Sequence, residues 1–331
     1  MDLTGLPLAL YGHCELCPRH CGANRLAGEV GACGAGAGLR AARSALHFWE
    51  EPPISGEAGS GAIFFTGCPL RCVFCQNHDI SQEGSGRDVP VGRVAQMMLE
   101  LEAQGAININ LVTPLHFAPQ VRQAVLLSRE AGMTLPVVCN TSGYETPEVV
   151  RAMGDVVDVW LTDFKFSSGD LACRLMQARD YPEVAEDALQ RVAESDAFIF
   201  GSLCARDPFS RTSLMAMLDK ATFKVFDVNL RPPHYTPERV LELMKVADLV
   251  KLNDDELYEL AVAYGSKHRS IDQNVRFLAR LTNTDRLCVT LGGHGALLFI
   301  DDQMFFHTGF RVDVADTVGS GDSFLAGLIY K

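Results

Sequence analysis

Three cysteines, Cys68, Cys72 and Cys75, stand in the spacing C-x3-C-x2-C directly after the apolar run 62–66. Thiolates are the protein ligands of iron–sulfur clusters, and a four-iron cubane usually takes four of them. Three on one short loop leave one iron open to a small molecule. Gly67 lets the chain turn off the preceding strand and Pro69 stiffens the loop. A second group, Cys14, Cys17, Cys21 and Cys33, follows C-x2-C-x3-C-x11-C, with His13 and His20 as substitute ligands. Four thiols at such spacing ligate zinc or a second cluster, and spacing does not separate the two. Cys139, Cys173, Cys204 and Cys288 stand alone and read as core residues. Near the other end, residues 316–322 read Asp-Thr-Val-Gly-Ser-Gly-Asp ahead of the apolar run 323–330. A Gly-rich turn opening a helix presents backbone N–H groups to an anion. A carboxylate beside it, Asp322, can accept a hydroxyl proton during phosphoryl transfer.

From about residue 14 to 192 the chain resembles the radical S-adenosylmethionine (SAM) proteins related to pyruvate formate-lyase activating enzyme. The segments that carry the likeness are 47–52 (His-Phe-Trp-Glu-Glu-Pro), 61–77, 108–116, 140–144 and 163–165, with Phe74 just before the third cysteine of the loop. The resemblance implies a [4Fe-4S] cluster on Cys68, Cys72 and Cys75 whose open iron chelates the amino and carboxylate groups of SAM. It implies reductive SAM cleavage to a 5′-deoxyadenosyl radical and a glycyl-radical-type protein as substrate. Asn110 and Thr113 stand where other members carry a Gly-Gly-Glu contact to the SAM amino group. Asn140 and Thr141, ending the next strand, are further SAM contacts by the same resemblance, and Asp163 and Lys165 end the one after.

Residues 195–331 resemble the ribokinase-like (PfkB) sugar kinases, with wording closest to fructokinase-type members over 226–235 and 251–257. The family signature ends in G-A-G-D; here Ser320 replaces the Ala. The resemblance makes Asp322 the catalytic base and Gly319, Ser320 and Gly321 the anion hole. Asn253 and Glu256 match N-x-x-E, which organises magnesium and phosphate. Thr290, Gly292 and Gly295 match a nucleotide-binding turn between two strands. Asp227, Asn229 and Arg231 match the D-x-N-x-R strand end near the substrate phosphate. ATP, Mg and a small-molecule sugar are the implied ligands.

These motifs need elements to hold them. Apolar runs at 62–66, 107–112, 135–140, 156–162, 197–201, 224–229, 249–252, 287–290 and 296–300 read as strands. Amphipathic runs at 91–103, 118–131, 147–152, 181–194, 210–219, 237–246, 254–264, 271–281 and 320–330 read as helices. The alternation predicts an α/β class with buried, mostly parallel strands: a partial (β/α) radical SAM barrel fused to the C-terminal half of a ribokinase-like α/β sandwich. The expected division is a Cys-rich N-terminal module over 1–60, a truncated radical SAM core over 61–192 and the kinase half over 193–331. Composition changes at the same place: Lys165 is the one lysine before residue 193, and six follow it. The join runs through the helix read over 181–194.

The chain has 331 residues, 47% hydrophobic and 21% charged, with net charge −12. The acidic balance argues against a nucleic-acid surface, which wants basic patches. No run reaches the roughly 20 apolar residues of a membrane helix, and residues 1–4 lack the basic start of a signal peptide. The expectation is a cytoplasmic protein, with no membrane or nucleic-acid partner. Eleven cysteines, seven of them before residue 76, then point to metal or redox chemistry. Four strand–helix units are found where a radical SAM core of this kind has six, and the sugar-binding half of the kinase has no counterpart. Three readings follow: radical SAM chemistry, sugar phosphorylation, or a fusion of incomplete halves that binds metal without turnover.

Overall fold

The computed structural model describes residues 6–48, 50, 52–192, 197–309, 324, 325 and 328. Contacts divide the chain into two units, Met1–Val192 and Ala193–Lys331. In the first, the elements run β1 (Arg40–His47), α1 (Pro52–Ser55), β2 (Ser60–Phe65), α2 (His78–Ser81), β3 (Arg87–Asp88), α3 (Val91–Ala103), β4 (Ile109–Val112), α4 (Ala118–Glu130), β5 (Val137–Thr141), α5 (Pro147–Met153), β6 (Val159–Thr162), α6 (Gly169–Met176) and α7 (Tyr181–Val192).

One sheet in the order β3-β1-β2-β4-β5-β6 organises this unit. β2, β4, β5 and β6 are parallel, so the chain crosses over between them through helices. β1 lies antiparallel to β2 and β3. Residues 40–47 therefore share a sheet with the strands that follow residue 60. Side chains alternate across the strands. Ile63, Phe65, Ile109, Leu111, Val137 and Cys139 join one core with Val94, Met98 and Leu101 of α3 and Val121, Ala124 and Val125 of α4. The apolar positions of both helices recur at helical spacing and bury one stripe against that face. The intervening positions, with Ala62, Asn110 and Val138 in register, belong to the other face.

The second unit runs β7 (Phe198–Gly201), α8 (Pro208–Leu218), β8 (Lys224–Asp227), α9 (Pro237–Val246), β9 (Leu249–Asn253), α10 (Asp254–Ala263), α11 (Ile271–Thr282), β10 (Arg286–Thr290), β11 (Ala296–Ile300) and β12 (Gln303–His307). Its sheet order is β12-β11-β10-β9-β8-β7. β7 to β10 are parallel and β10, β11 and β12 antiparallel. Phe226, Val250, Leu252, Leu287 and Val289 form a core with Val240, Leu243 and Met244 of α9 and Val275 and Leu278 of α11. Helix starts are capped: Thr236 accepts from Arg239 N–H, and Ser270 from Gln273 N–H. Of the helix expected over 320–330, Phe324, Leu325 and Leu328 are described and helical, and Leu325 packs on Val225 and Leu249.

The α/β class and its mostly parallel strands match the expectation. Six elements did not show in the sequence: β1, α1, α2, β3, α6 and β12. The predicted core placement of Cys204 is corrected, since Cys204 is exposed; Cys139 and Cys288 are buried as expected, and Cys173 is half-buried.

Candidate functional site

In the first unit the C-terminal ends of four adjacent parallel strands share one edge of the sheet, where such sheets bind ligands. The cysteine loop leaves that edge after β2. Thr113 follows β4, Asn140 and Thr141 end β5, and Asp163 and Lys165 follow β6. Gly67 adopts φ +92°, and a Cβ there would lie 2.6 Å from the Cys33 carbonyl, so a side chain is excluded on two counts. Cys68 N–H donates to that same carbonyl at 3.0 Å. Further bonds fix the loop from outside: Val73 N–H to Leu175 O at 2.9 Å, Arg71 to Ala32 O at 2.7 Å, Arg19 to Pro69 O at 2.8 Å and Gln82 to Cys72 O at 2.9 Å. Burial pushes the Cys68 thiol up to about 12 and raises that of Cys72, against the positive charge of Lys165. Lys165 is itself paired with Asp163.

Asn110 is 0% exposed, and neither its amide nitrogen nor its amide oxygen has a hydrogen-bond partner among the described residues. Such an orphan costs stability. Thr113 is held at φ +53° with its N–H on Asn140 O at 2.9 Å. The Asn140 amide reaches Glu50 at 3.5 Å, and Thr141 Oγ1 lies 3.4 Å from both Glu145 and Thr162. Glu145, which the sequence did not single out, is buried; burial pushes its carboxyl up to about 8, opposed by hydrogen bonds from Thr141 and Ser142 and by Lys165.

Three thiols on one short loop are a donor set that iron–sulfur clusters take. Among the described residues no three Cys, His, Asp or Glu groups converge as one metal ion requires. Thiolates bound to different irons of a cubane stand further apart than thiolates sharing one ion. Three thiols on one loop, and an orphaned amide on a neighbouring strand, fit a cluster with a polar ligand beside it.

In the second unit the expected residues again line one sheet edge. Asp227 ends β8, Asn253 ends β9 and Thr290 ends β10, in register with Asn253. Asn253 and Glu256 form a reciprocal capping box at the start of α10. The second oxygen of Glu256 accepts Leu230 N–H at 2.8 Å, so this carboxylate ties the α10 start to the segment after β8. Asp227 is 7% exposed, and both its oxygens bond Lys251 Nζ, at 3.0 and 3.2 Å. Asn229 has φ +38°, and its carbonyl accepts from Ser202 at 3.1 Å; Arg231 is exposed. Gly292 and Gly295 form the turn between β10 and β11, and a Cβ on Gly295 would lie 1.8 Å from His307 O. Gly319, Ser320, Gly321 and Asp322 lie outside the described residues.

The first unit is thus an α/β unit with a cysteine loop, and the second an α/β unit whose strand ends carry Asp227, Asn253 and Thr290. The radical SAM superfamily model matches residues 62–204, and the pfkB family carbohydrate kinase model matches residues 170–331. The two matches overlap over 170–204. An uncharacterized protein of Methanocaldococcus jannaschii is 31% identical over 185 residues, covering 53% of this chain and 52% of that protein. Aminoimidazole riboside kinase of Salmonella typhimurium is 32% identical over 142 residues, 40% of this chain and 43% of that protein. The chain spans about half the length of these relatives. A solved structure of aminoimidazole riboside kinase from Salmonella enterica aligns at TM-score 0.41 and 24% identity, over 59% of this chain and 70% of that one. Among the described residues no helix is long and apolar enough to cross a membrane.

Sequence reasoning missed Glu145, Arg19, Arg25 and Lys251. Arg19, Arg25 and Lys251 bond partners distant in sequence, whereas Glu145 bonds Thr141 and Ser142 close by; only Lys251 lay in a segment already quoted for its resemblance.

Proposed function

We propose that the first unit binds a [4Fe-4S] cluster through Cys68, Cys72 and Cys75 and uses it with SAM in activating-enzyme-like chemistry, on a glycyl-radical-type protein. The bound cluster supplies the electron for reductive SAM cleavage. The chain's own residues position the ligand. The Asn110 amide can donate and accept at the orphaned site, Thr113 and Asn140 are tied together at the neighbouring strand ends, and Thr141 offers a hydroxyl beside Glu145. Lys165 and Asp163 set the charge next to Cys72. The observation that carries this reading is the unpartnered, fully buried Asn110 amide on the strand beside the one that feeds the cysteine loop. The test is anaerobic reconstitution with iron and sulfide, then electron paramagnetic resonance of the reduced chain. A cubane signal that shifts on adding SAM and is lost in Cys72→Ala supports it; no SAM-sensitive cluster overturns it.

The second unit supports a second reading: ATP- and Mg-dependent phosphorylation of a small sugar, with Asp322 as base and Gly319, Ser320 and Gly321 as the anion hole. The alignment of Asp227, Asn253 and Thr290 on one sheet edge favours it. The relatives are named for fructose and aminoimidazole riboside, so both belong in a sugar panel. Product that disappears in Asp322→Asn supports the reading, and no turnover across the panel overturns it for this chain. Loss of both activities would leave the fusion as a metal-binding chain without turnover.

A further inference from the structure

Arg25 is 1% exposed, among the most buried side chains in the protein. Its guanidinium is always charged. Its acceptors are all neutral: Gly36 O at 2.9 and 2.7 Å and His116 O at 2.8 Å. It lies 3.7 Å from the centre of the Tyr11 ring and 5.3 Å from that of Phe117. No carboxylate contacts it among the described residues. A buried cation without a counter-charge is costly, so a source of negative charge belongs nearby.

The nearest candidate is sulfur. Arg25 NH1 lies 3.7 Å from Cys14 Sγ. The chain doubles back so that Cys14 N–H bonds Ala23 O and Gly22 N–H bonds Cys14 O, each at 3.1 Å, which brings Cys21 beside Cys14. A Cβ on Gly31 would lie 3.5 Å from the sulfurs of both Cys21 and Cys33, so Gly31 passes between them without filling their space. Cys14, Cys17 and Cys33 are buried and Cys21 is exposed, which opens the group to solvent on one side.

We propose that Cys14, Cys17, Cys21 and Cys33 hold a second, thiolate-bound metal centre, zinc or iron–sulfur, whose negative charge is offset by the buried Arg25. Four thiolates around Zn2+ leave a net charge of about −2, and four around an oxidised cubane leave a similar excess. On binding, the thiols release their protons to solvent and no redox step is needed. No three of the four sulfurs converge as one ion requires, so a single zinc ion needs side-chain rotation that includes the buried Cys14, Cys17 and Cys33. The proposal is independent of the SAM reading, because it concerns different cysteines.

The full chain carrying Cys68→Ala, Cys72→Ala and Cys75→Ala, purified anaerobically, separates the two sites. Zinc, iron and acid-labile sulfide are counted per chain. About one zinc, or roughly four irons with matching sulfide, supports the proposal and identifies the metal. Adding Cys14→Ser and Cys33→Ser should abolish it. A chain that holds neither metal, with circular dichroism like the unaltered protein, overturns it. Native alkylation of the unaltered chain gives a check that needs no substitution. Cys21 should resist iodoacetamide until a chelator is added; immediate modification without chelator overturns the proposal. Arg25→Met should lower metal content several-fold while Arg25→Lys largely keeps it; equal content in both would remove the charge role.

Discussion

The backbone N–H of Cys68 donates to the carbonyl of Cys33 across 3.0 Å, so the first cysteine of the three-thiol loop is pinned to the last of the four-thiol group. Gly67 makes that approach workable, because its Cα faces the same carbonyl at φ +92°. Gly67→Ala should therefore destabilise the first unit by about 1–3 kcal/mol, the usual cost of a strained backbone position, and reduce iron loading. Urea unfolding followed by tryptophan fluorescence reads this unit, since Trp160 lies in its sheet on β6 and the other tryptophan of the sequence also precedes residue 193. An unchanged midpoint with unchanged iron would show that the turn relaxes without cost.

The second unit has its own buried pair. Asp227 and Lys251 are 7% and 6% exposed. Removing one partner from such a pair leaves an uncompensated buried charge and costs about 3–5 kcal/mol. Lys251→Met should show this in far-ultraviolet circular dichroism, and Asp227→Asn in the same chain should recover much of the loss. A single variant as stable as the parent would mean that the pair carries little.

Glu256 should tolerate no amide. Its two oxygens accept Asn253 N–H at 2.9 Å and Leu230 N–H at 2.8 Å. Glu256→Gln sets an NH2 group against one of those donors, a cost of about 1–3 kcal/mol for an unsatisfied buried donor. Amide exchange at Leu230 should speed up in the variant; parent-like protection there would count against the assigned bonds.

Two groups in the first unit give opposite pH dependences. Burial holds His116 at about 4, below its ordinary 6.5. The native state favours neutral imidazole, so this contribution is full above pH 6.5 and is lost as pH falls through 4, a change of roughly 3 kcal/mol. Glu145 is raised to about 8 from 4.5, so its contribution is full below 4.5 and is lost as pH rises through 8. Urea midpoints of the cluster-free chain should fall between pH 6.5 and 4 less steeply in His116→Gln. Between pH 6 and 9 they should fall less steeply in Glu145→Gln. Parallel curves for parent and variant would place the titration elsewhere.

The parallel strands were legible because a strand buried on both faces must be a short apolar run, as 62–66 and 249–252 are. β1 was not, because Arg-Ala-Ala-Arg-Ser-Ala-Leu-His is half-exposed and carries two arginines, and β12 was not, because only five residues, mostly exposed, extend a hairpin. The cysteine loop and the stretches 227–231 and 253–256 could be picked out because their residues are close in sequence. Arg25 and Lys251 could not, because their meaning comes from groups that only the fold brings near, the Cys14 sulfur and Asp227; Glu145 bonds near neighbours, and what the sequence did not show was its burial. Asn110 lies between. Its resemblance suggested a role, while its lack of partners is a property of the packed sheet.

That lack of partners yields a prediction in which stability and binding move in opposite directions. An amide buried at 0% exposure with nothing to bond costs the unliganded fold about 1–3 kcal/mol. A residue kept there for a ligand is a liability until the ligand arrives. Asn110→Leu, close in volume, should raise the melting temperature of the SAM-free chain by a few degrees. Under the proposed SAM reading, the same variant should lose most of the upward shift expected on adding SAM to the reconstituted chain. Thermal melts with and without SAM measure both. A variant less stable without SAM would mean that the amide is already satisfied, and an undiminished SAM shift would remove Asn110 from the ligand site.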